Sequence, residues 1–314
     1  MANKKISQLT VAAPLTGTEE LPLVQGGITL KATAQDIADL AGGGLEGTNY
    51  IYVMANGTDT DNAAELQAAY TAAQALSPSS INRITIVCGP GNYNFDSTAF
   101  VMDTEYIDLV SLDGNRSIIF NSSDPGGTID ITANDVFVKG VDVGTKTFTI
   151  GDDLSLLKVE NCKGGNGSFG VFGTASGTFT NCTGSNGSFG GFGGTASGIF
   201  TNCTGSDGSF GIVGTASGSF TNCTGSDGSF GGDGGTAPGT FTNCIGGNGS
   251  FGGFGTASGT FTNCTGGNGS FGGGGTLEGK LFYCRLTEGE FQTVSGGGIT
   301  RLCLDGSDVE NNQG

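Results

Sequence analysis

The side chains with the most evident chemical capacity here are nine cysteines and two evenly placed aspartates. Eight of the cysteines fall at 162, 182, 203, 223, 244, 264, 284 and 303, at intervals of 19 to 21 residues. Thiolates that hold a metal or carry electrons sit close together, as in a C-x-x-C pair, and no such pair occurs. The spacing therefore points to buried thiols acting as small apolar fillers, with Cys182, Cys203, Cys223, Cys244 and Cys264 as the regular part of the column. Disulfides between windings stay open, because stacked Cα atoms lie within bridging range although in-register side chains aim poorly at each other. Asp207 and Asp227 are the candidates for acid–base work, since glycan cleavage uses two carboxylates about 5 to 9.5 Å apart. Their column reads Asn166, Asn186, Asp207, Asp227, Asn248, Asn268, always before glycine, which is the pattern of a turn residue. With Asp233 they are the only charged groups between residues 164 and 276. Histidine is absent, which removes His-based triads and His-rich metal sites, and tryptophan, which often stacks on sugars, is absent too. The reading is of a chain with no catalytic residues, no metal ligands and no cofactor.

Recognition has a better candidate in the column Phe172, Phe192, Val213, Asp233, Phe254, Gly274. A closed core would not accept Asp or Gly at a position that elsewhere holds Phe, because desolvation or a cavity would cost a few kcal/mol. The column is expected to be partly exposed. Phe172, Phe192 and Phe254 are then placed to stack on sugar rings or to meet a neighbouring chain.

The elements that must position these residues follow from the repeat SFGxxGTASGTFTNCTGxNG. One phenylalanine column includes Phe189, Phe210, Phe230 and Phe251, and a second runs Phe179, Phe200, Phe220, Phe241, Phe261, with Val159 and Leu281 in the flanking turns. A period near 20 is too short for a propeller blade or a helical-pair repeat, and leucine-rich repeats would need Leu where Gly and Thr stand. A coil of short parallel strands remains, in which like residues stack about 4.8 Å apart. The expected fold is an all-β, right-handed parallel β-helix of about 20 residues per coil. Within TFTNCT, Phe179 should point inward while Thr178 and Thr180 point out. Asn181, Asn202, Asn222, Asn243 and Asn263 fall where the strand turns; Asn tolerates left-handed backbone, and its amide can bond to the next winding.

Three segments result. Residues 1–44 form a leading module with two short strands, ELPLVQ and ITLKAT, joined at Gly26-Gly27, then a helix capped by Thr33 and ended by Gly42. Residues 45–163 carry an amphipathic helix over Asp61 to Leu76, the strand ITIVCGPGNYNF and irregular first coils. Residues 164–314 hold the regular repeats and the C-terminal end. Glycine contributes 62 of 314 residues without a strict every-third period, so collagen is excluded, and regularly placed Phe excludes disorder. A formal net charge of -17 argues against nucleic acid as partner. No stretch approaches the ~20 apolar residues that span a bilayer, so no membrane insertion is expected.

The stretch NGTDTDNAAELQAAYTAAQAL followed by RITIVCGPGNYNF resembles the start of the pectate-lyase-like β-helix of tailed-bacteriophage tailspikes, with a capping helix and a turn at Pro90-Gly91-Asn92-Tyr93. The leader KKISQLTVAAPLTGTEELPLVQGG is similar to the N-terminal segment of phage fibre and spike proteins. This resemblance implies a homotrimer assembled in the host cytoplasm and located in the virion. It further implies attachment to tail or capsid proteins through residues 1–44 and contact with a host-surface glycan or protein by the solenoid. The expectation is a non-enzymatic fibre or spike. Alternatives are a polysaccharide-degrading tailspike, an ice-binding solenoid using the outward row Thr180, Thr201, Thr221, Thr242, Thr262, and a self-assembling filament.

Overall fold

The structure, a computed structural model, describes residues 20–25, 28–33, 48–121, 127–170, 173–289, 291, 298–305 and 310–313. The chain divides into two compact units, residues 1–50 and 51–314. In the first, Glu20–Gln25 and Ile28–Thr33 pair antiparallel, with Gln25 opposite Ile28, the register expected for strands joined by two residues. The helix expected between Thr33 and Gly42 lies outside the described residues.

The second unit is a parallel β-solenoid of about ten turns, close to 21 residues per turn. Its first windings are long and irregular: Ile84 pairs with Ile107, and Leu109 with Val138. From there the step settles to 20 or 21, as Val159 meets Phe179, then Phe200, Phe220, Phe241, Phe261 and Leu281 in turn. The windings on both sides of Lys163 belong to one continuous stack.

A helix over Asp59–Ala75, α1, closes the N-terminal end by burying Leu66, Tyr70 and Ala73 in the solenoid core. It starts two residues earlier than its hydrophobic spacing suggests because Thr58 forms a capping box. The Thr58 hydroxyl accepts the Asp61 N–H at 3.2 Å, and the Asp61 carboxylate accepts the Thr58 N–H at 3.2 Å. Asp61 is thus the third residue of the helix, and the bonds from Thr58 hold its carboxyl below the usual range. The Tyr70 hydroxyl accepts the N–H groups of Asp103 and Thr104 at 2.8 and 2.9 Å, fastening α1 to the first winding. Arg83 adds a lateral fastening. It donates to both Asp108 carboxylate oxygens at 2.9 and 2.8 Å and to Asp135 at 2.8 Å, joining three successive windings.

Inside the regular windings the two phenylalanine columns interlock. Rings from Phe169 through Phe271 stack at 4.8 Å with planes within 1° to 11° of parallel. The column from Phe179 to Phe261 stacks at 4.8 to 5.1 Å. Between columns the rings meet edge to face, as with Phe200 and Phe210 at 5.6 Å and 84°. Phe189 and Phe210 therefore occupy neighbouring layers, which is what the periodicity requires.

Backbone geometry explains the corners. Asn161, Asn181, Asn202, Asn222, Asn243 and Asn263 all lie at φ of 52° to 54°, the left-handed region asparagine tolerates. From Asn181 on, the amides form a continuous ladder: Asn202 donates to Asn181, Asn222 to Asn202 and Asn243 to Asn222, each at 3.1 Å, and Asn263 to Asn243 at 2.9 Å. Less expected is that Phe169, Phe189, Phe210, Phe230, Phe251 and Phe271 also sit at positive φ, 53° to 59°. This conformation costs a bulky residue about 1–2 kcal/mol, which burial of the whole ring offsets.

At the C-terminal end the strand Ile299–Leu304 joins Lys280–Phe282 in parallel, and Glu310–Gln313 pairs with it antiparallel. A parallel stack would otherwise offer an open edge there, and the returning strand occupies its hydrogen-bonding groups.

Candidate functional site

In each regular winding the corner that carries the Asn-Gly or Asp-Gly step faces solvent. Its geometry is a second ladder, made of side chain to backbone. The Asp227 carboxylate accepts the Asn248 N–H at 2.7 Å, and the Asn248 side-chain oxygen accepts the Asn268 N–H at 2.9 Å. The following glycine points its N–H at the next winding: Gly208 to the Asp227 carbonyl at 2.9 Å, Gly228 to that of Asn248 at 2.8 Å, Gly249 to that of Asn268 at 2.9 Å. Asp227 is therefore a turn residue whose carboxylate is engaged in holding two windings together.

Next to this corner lies a surface depression of about 610 Å³, lined by Asp207, Ile212, Asp227, Asp233, Asn248, Phe254 and Asn268 over bare glycine backbone. Phe254 is 62% exposed and Phe192, three windings earlier, 49%. Both rings lie against glycine: a Cβ on Gly187 would strike the Phe192 ring, and one on Gly274 the Phe254 ring. Glycine thus lets an aromatic ring lie against the solenoid wall with its outer part in water. Phe172 lies outside the described residues.

The column drawn from the sequence changes at one winding. Val213 is 59% exposed and at φ 53°, and it does not line the depression. Ile212 takes that place, beside Gly208. The reason lies one residue earlier: Gly191, Gly232, Gly253 and Gly273 occupy in the neighbouring windings the position that Ile212 fills here, so this winding alone among the five offers a side chain there.

No family model, no curated protein and no solved structure matches this chain.

The remaining columns are interior. All nine cysteines are buried and free. The Cys203 thiol lies 3.4 Å from the Phe179 carbonyl and 3.5 Å from that of Thr201, so it is turned to backbone oxygens. Burial pushes the Cys203 thiol well up, and the Cys88 thiol up to about 12. Neither is a nucleophile at neutral pH. Among the described residues no group of three or more His, Cys, Asp or Glu side chains could hold a metal, and no helix is long and apolar enough to cross a membrane.

One buried column went unread in the sequence. Ser188, Ser209, Ser229, Ser250 and Ser270, each just before an inner Phe, are wholly buried. Their hydroxyls donate to carbonyls of the winding before, as in Ser250 to Ser226 at 3.1 Å and Ser270 to Gly247 at 3.0 Å. The signal was present as an invariant Ser in the repeat, but a serine beside glycine reads as a solvent-facing turn.

Proposed function

We propose that this chain is a non-enzymatic fibre or spike protein of a tailed bacteriophage, homotrimeric, joined to tail or capsid proteins through residues 1–44 and binding a host-surface glycan along its solenoid. The observation that carries this reading is the depression beside the Asp-Gly corner. A half-exposed aromatic ring resting against glycine, next to carboxylate and amide acceptors, suits a pyranose, whose C–H face stacks on aromatics and whose hydroxyls donate to such oxygens. The continuous stacking of windings supports a stiff shaft, and the leader's likeness to phage attachment segments supports the virion assignment. Engagement of Asp227 in the turn ladder favours attachment over cleavage.

The test is direct. Antibody labelling of intact virions in the electron microscope should place the protein at the particle surface. Isolated host polysaccharide should bind the wild-type chain, and Phe254→Ala should weaken that binding by about tenfold without releasing reducing ends, the loss expected for one stacking contact of ~1.4 kcal/mol. Absence from virions overturns the assignment, and release of reducing sugar overturns the non-enzymatic part of it.

A second reading rests on the sheet that carries the outward threonines. Thr180, Thr201, Thr221, Thr242 and Thr262 stack in register on a parallel sheet, beside a companion row Thr178, Ile199, Ser219, Thr240, Thr260. Such a flat hydroxyl and methyl lattice could order water at an ice surface. A thermal hysteresis measurement decides it.

A further inference from the structure

Five Asn-Gly steps occur in this chain, at Asn56, Asn166, Asn186, Asn248 and Asn268. Such a step is prone to a spontaneous reaction because glycine has no Cβ to hinder approach of its nitrogen to the preceding side chain. The Gly nitrogen attacks the Asn Cγ, a five-membered succinimide forms, and the side-chain nitrogen leaves as ammonia with the proton the glycine gives up. Water then opens the ring at either carbonyl to give aspartate or isoaspartate. The nitrogen must first be released from any hydrogen bond it donates.

Four of the five glycine N–H groups are held. Gly57 donates to the Asn62 side-chain oxygen at 3.0 Å, Gly167 to the Asn186 carbonyl at 2.9 Å, Gly187 to the Asp207 carbonyl at 3.0 Å and Gly249 to the Asn268 carbonyl at 2.9 Å. The corresponding acceptor for Gly269 would be the Glu288 carbonyl, one winding on, and among the described residues no carbonyl accepts from Gly269. An independent measure shows why. The stack holds through Thr287, whose N–H donates to the Gly266 carbonyl at 2.9 Å, and then opens: Phe271 and Phe291 are 5.9 Å apart and tilted by 42°, against 4.8 Å and 3° for Phe251 and Phe271. The repeat itself ends there, with TEGEF standing where earlier windings have GNGSF, SNGSF or SDGSF. Asn268 is also solvent-exposed.

We infer that Asn268 is the site at which this protein undergoes spontaneous deamidation, the other four Asn-Gly steps being held back by hydrogen bonds that the last regular winding fails to supply. The product places a further carboxylate beside the depression that already holds Asp207, Asp227 and Asp233. An aspartate is compatible with the corner, as Asp207 and Asp227 occupy the same column, whereas isoaspartate inserts an extra backbone atom and disturbs it.

The experiment incubates the full-length protein in mildly alkaline buffer and follows each Asn-Gly peptide by mass spectrometry, with a urea-unfolded sample alongside. In the folded protein Asn268 should convert at least roughly tenfold faster than Asn186 or Asn248, the factor for one hydrogen bond of ordinary net strength. In urea the five rates should converge. Asn268→Asp serves as a folding control and should keep the wild-type circular dichroism while the other four steps stay slow. Equal rates at Asn248 and Asn268 in the folded protein overturn the inference, as does an intact Asn268 over a period in which the unfolded chain converts.

Discussion

Phe210 lies at φ 57°, its ring between those of Phe189 and Phe230, whereas Phe220 lies in the extended strand Ser219–Thr221 between Phe200 and Phe241. Both side chains are wholly buried, so removing either ring should cost about 3–5 kcal/mol. What separates the two positions is the choice of small replacement. In extended backbone glycine is worse than alanine by roughly 0.5–1 kcal/mol, from unfolded-chain entropy. At a left-handed position alanine carries a strain of about 1–2 kcal/mol that glycine avoids. Phe220→Gly should therefore be less stable than Phe220→Ala, while Phe210→Gly should match Phe210→Ala or exceed it by up to ~1 kcal/mol. Equilibrium unfolding in guanidinium, compared by midpoints at matched slope, reads both differences. An alanine advantage at Phe210 as large as that at Phe220 would refute the positive-φ corner.

Asn222→Leu removes ladder bonds on both sides and strains φ 54°, for an expected loss of about 2–3 kcal/mol, while Asn222→Gly loses only the bonds, about 1 kcal/mol; thermal or chemical unfolding compares them. Arg83→Ala strands the nearly buried Asp108 carboxylate and should cost about 2–3 kcal/mol, with Arg83→Lys recovering less than half because it cannot donate to both carboxylate oxygens in a fixed fork. Burial raises the Cys88 thiol from 9.0 to about 12, so the unfolded chain loses that proton first. Its contribution is complete at neutral pH and should fall away as pH rises from about 9 towards 12, seen as a decreasing unfolding midpoint. A thiol reagent at neutral pH should likewise find Cys88 and Cys203 unreactive until the chain unfolds.

The architecture was legible because stacking in a solenoid forces like residues to recur at the winding length, and Phe, Asn and Cys each recur so. The Asn ladder could be read from residue chemistry alone, since a short amide side chain both accepts left-handed backbone and bonds along the stack. The left-handed phenylalanines could not, because local preference opposes them and only the buried ring, a tertiary effect, outweighs it. The groove was half legible. Exposure of Phe192 and Phe254 followed from Asp and Gly sharing their column, but the substitution of Ile212 for Val213 comes from a side chain standing where the neighbouring windings hold glycine, which the column itself does not show. The start of α1 was displaced because a threonine outside the apolar pattern makes the cap.

The alternation of 20- and 21-residue windings has a consequence for how such a molecule changes over generations. Every regular layer offers its neighbours the same Phe, Asn and Cys columns above and below, so copying or losing one stretch of gene that encodes a whole layer leaves those columns unbroken. The shaft then grows or shrinks in increments of about 4.8 Å. Reach is a quantised, heritable property here, adjustable without redesigning either end.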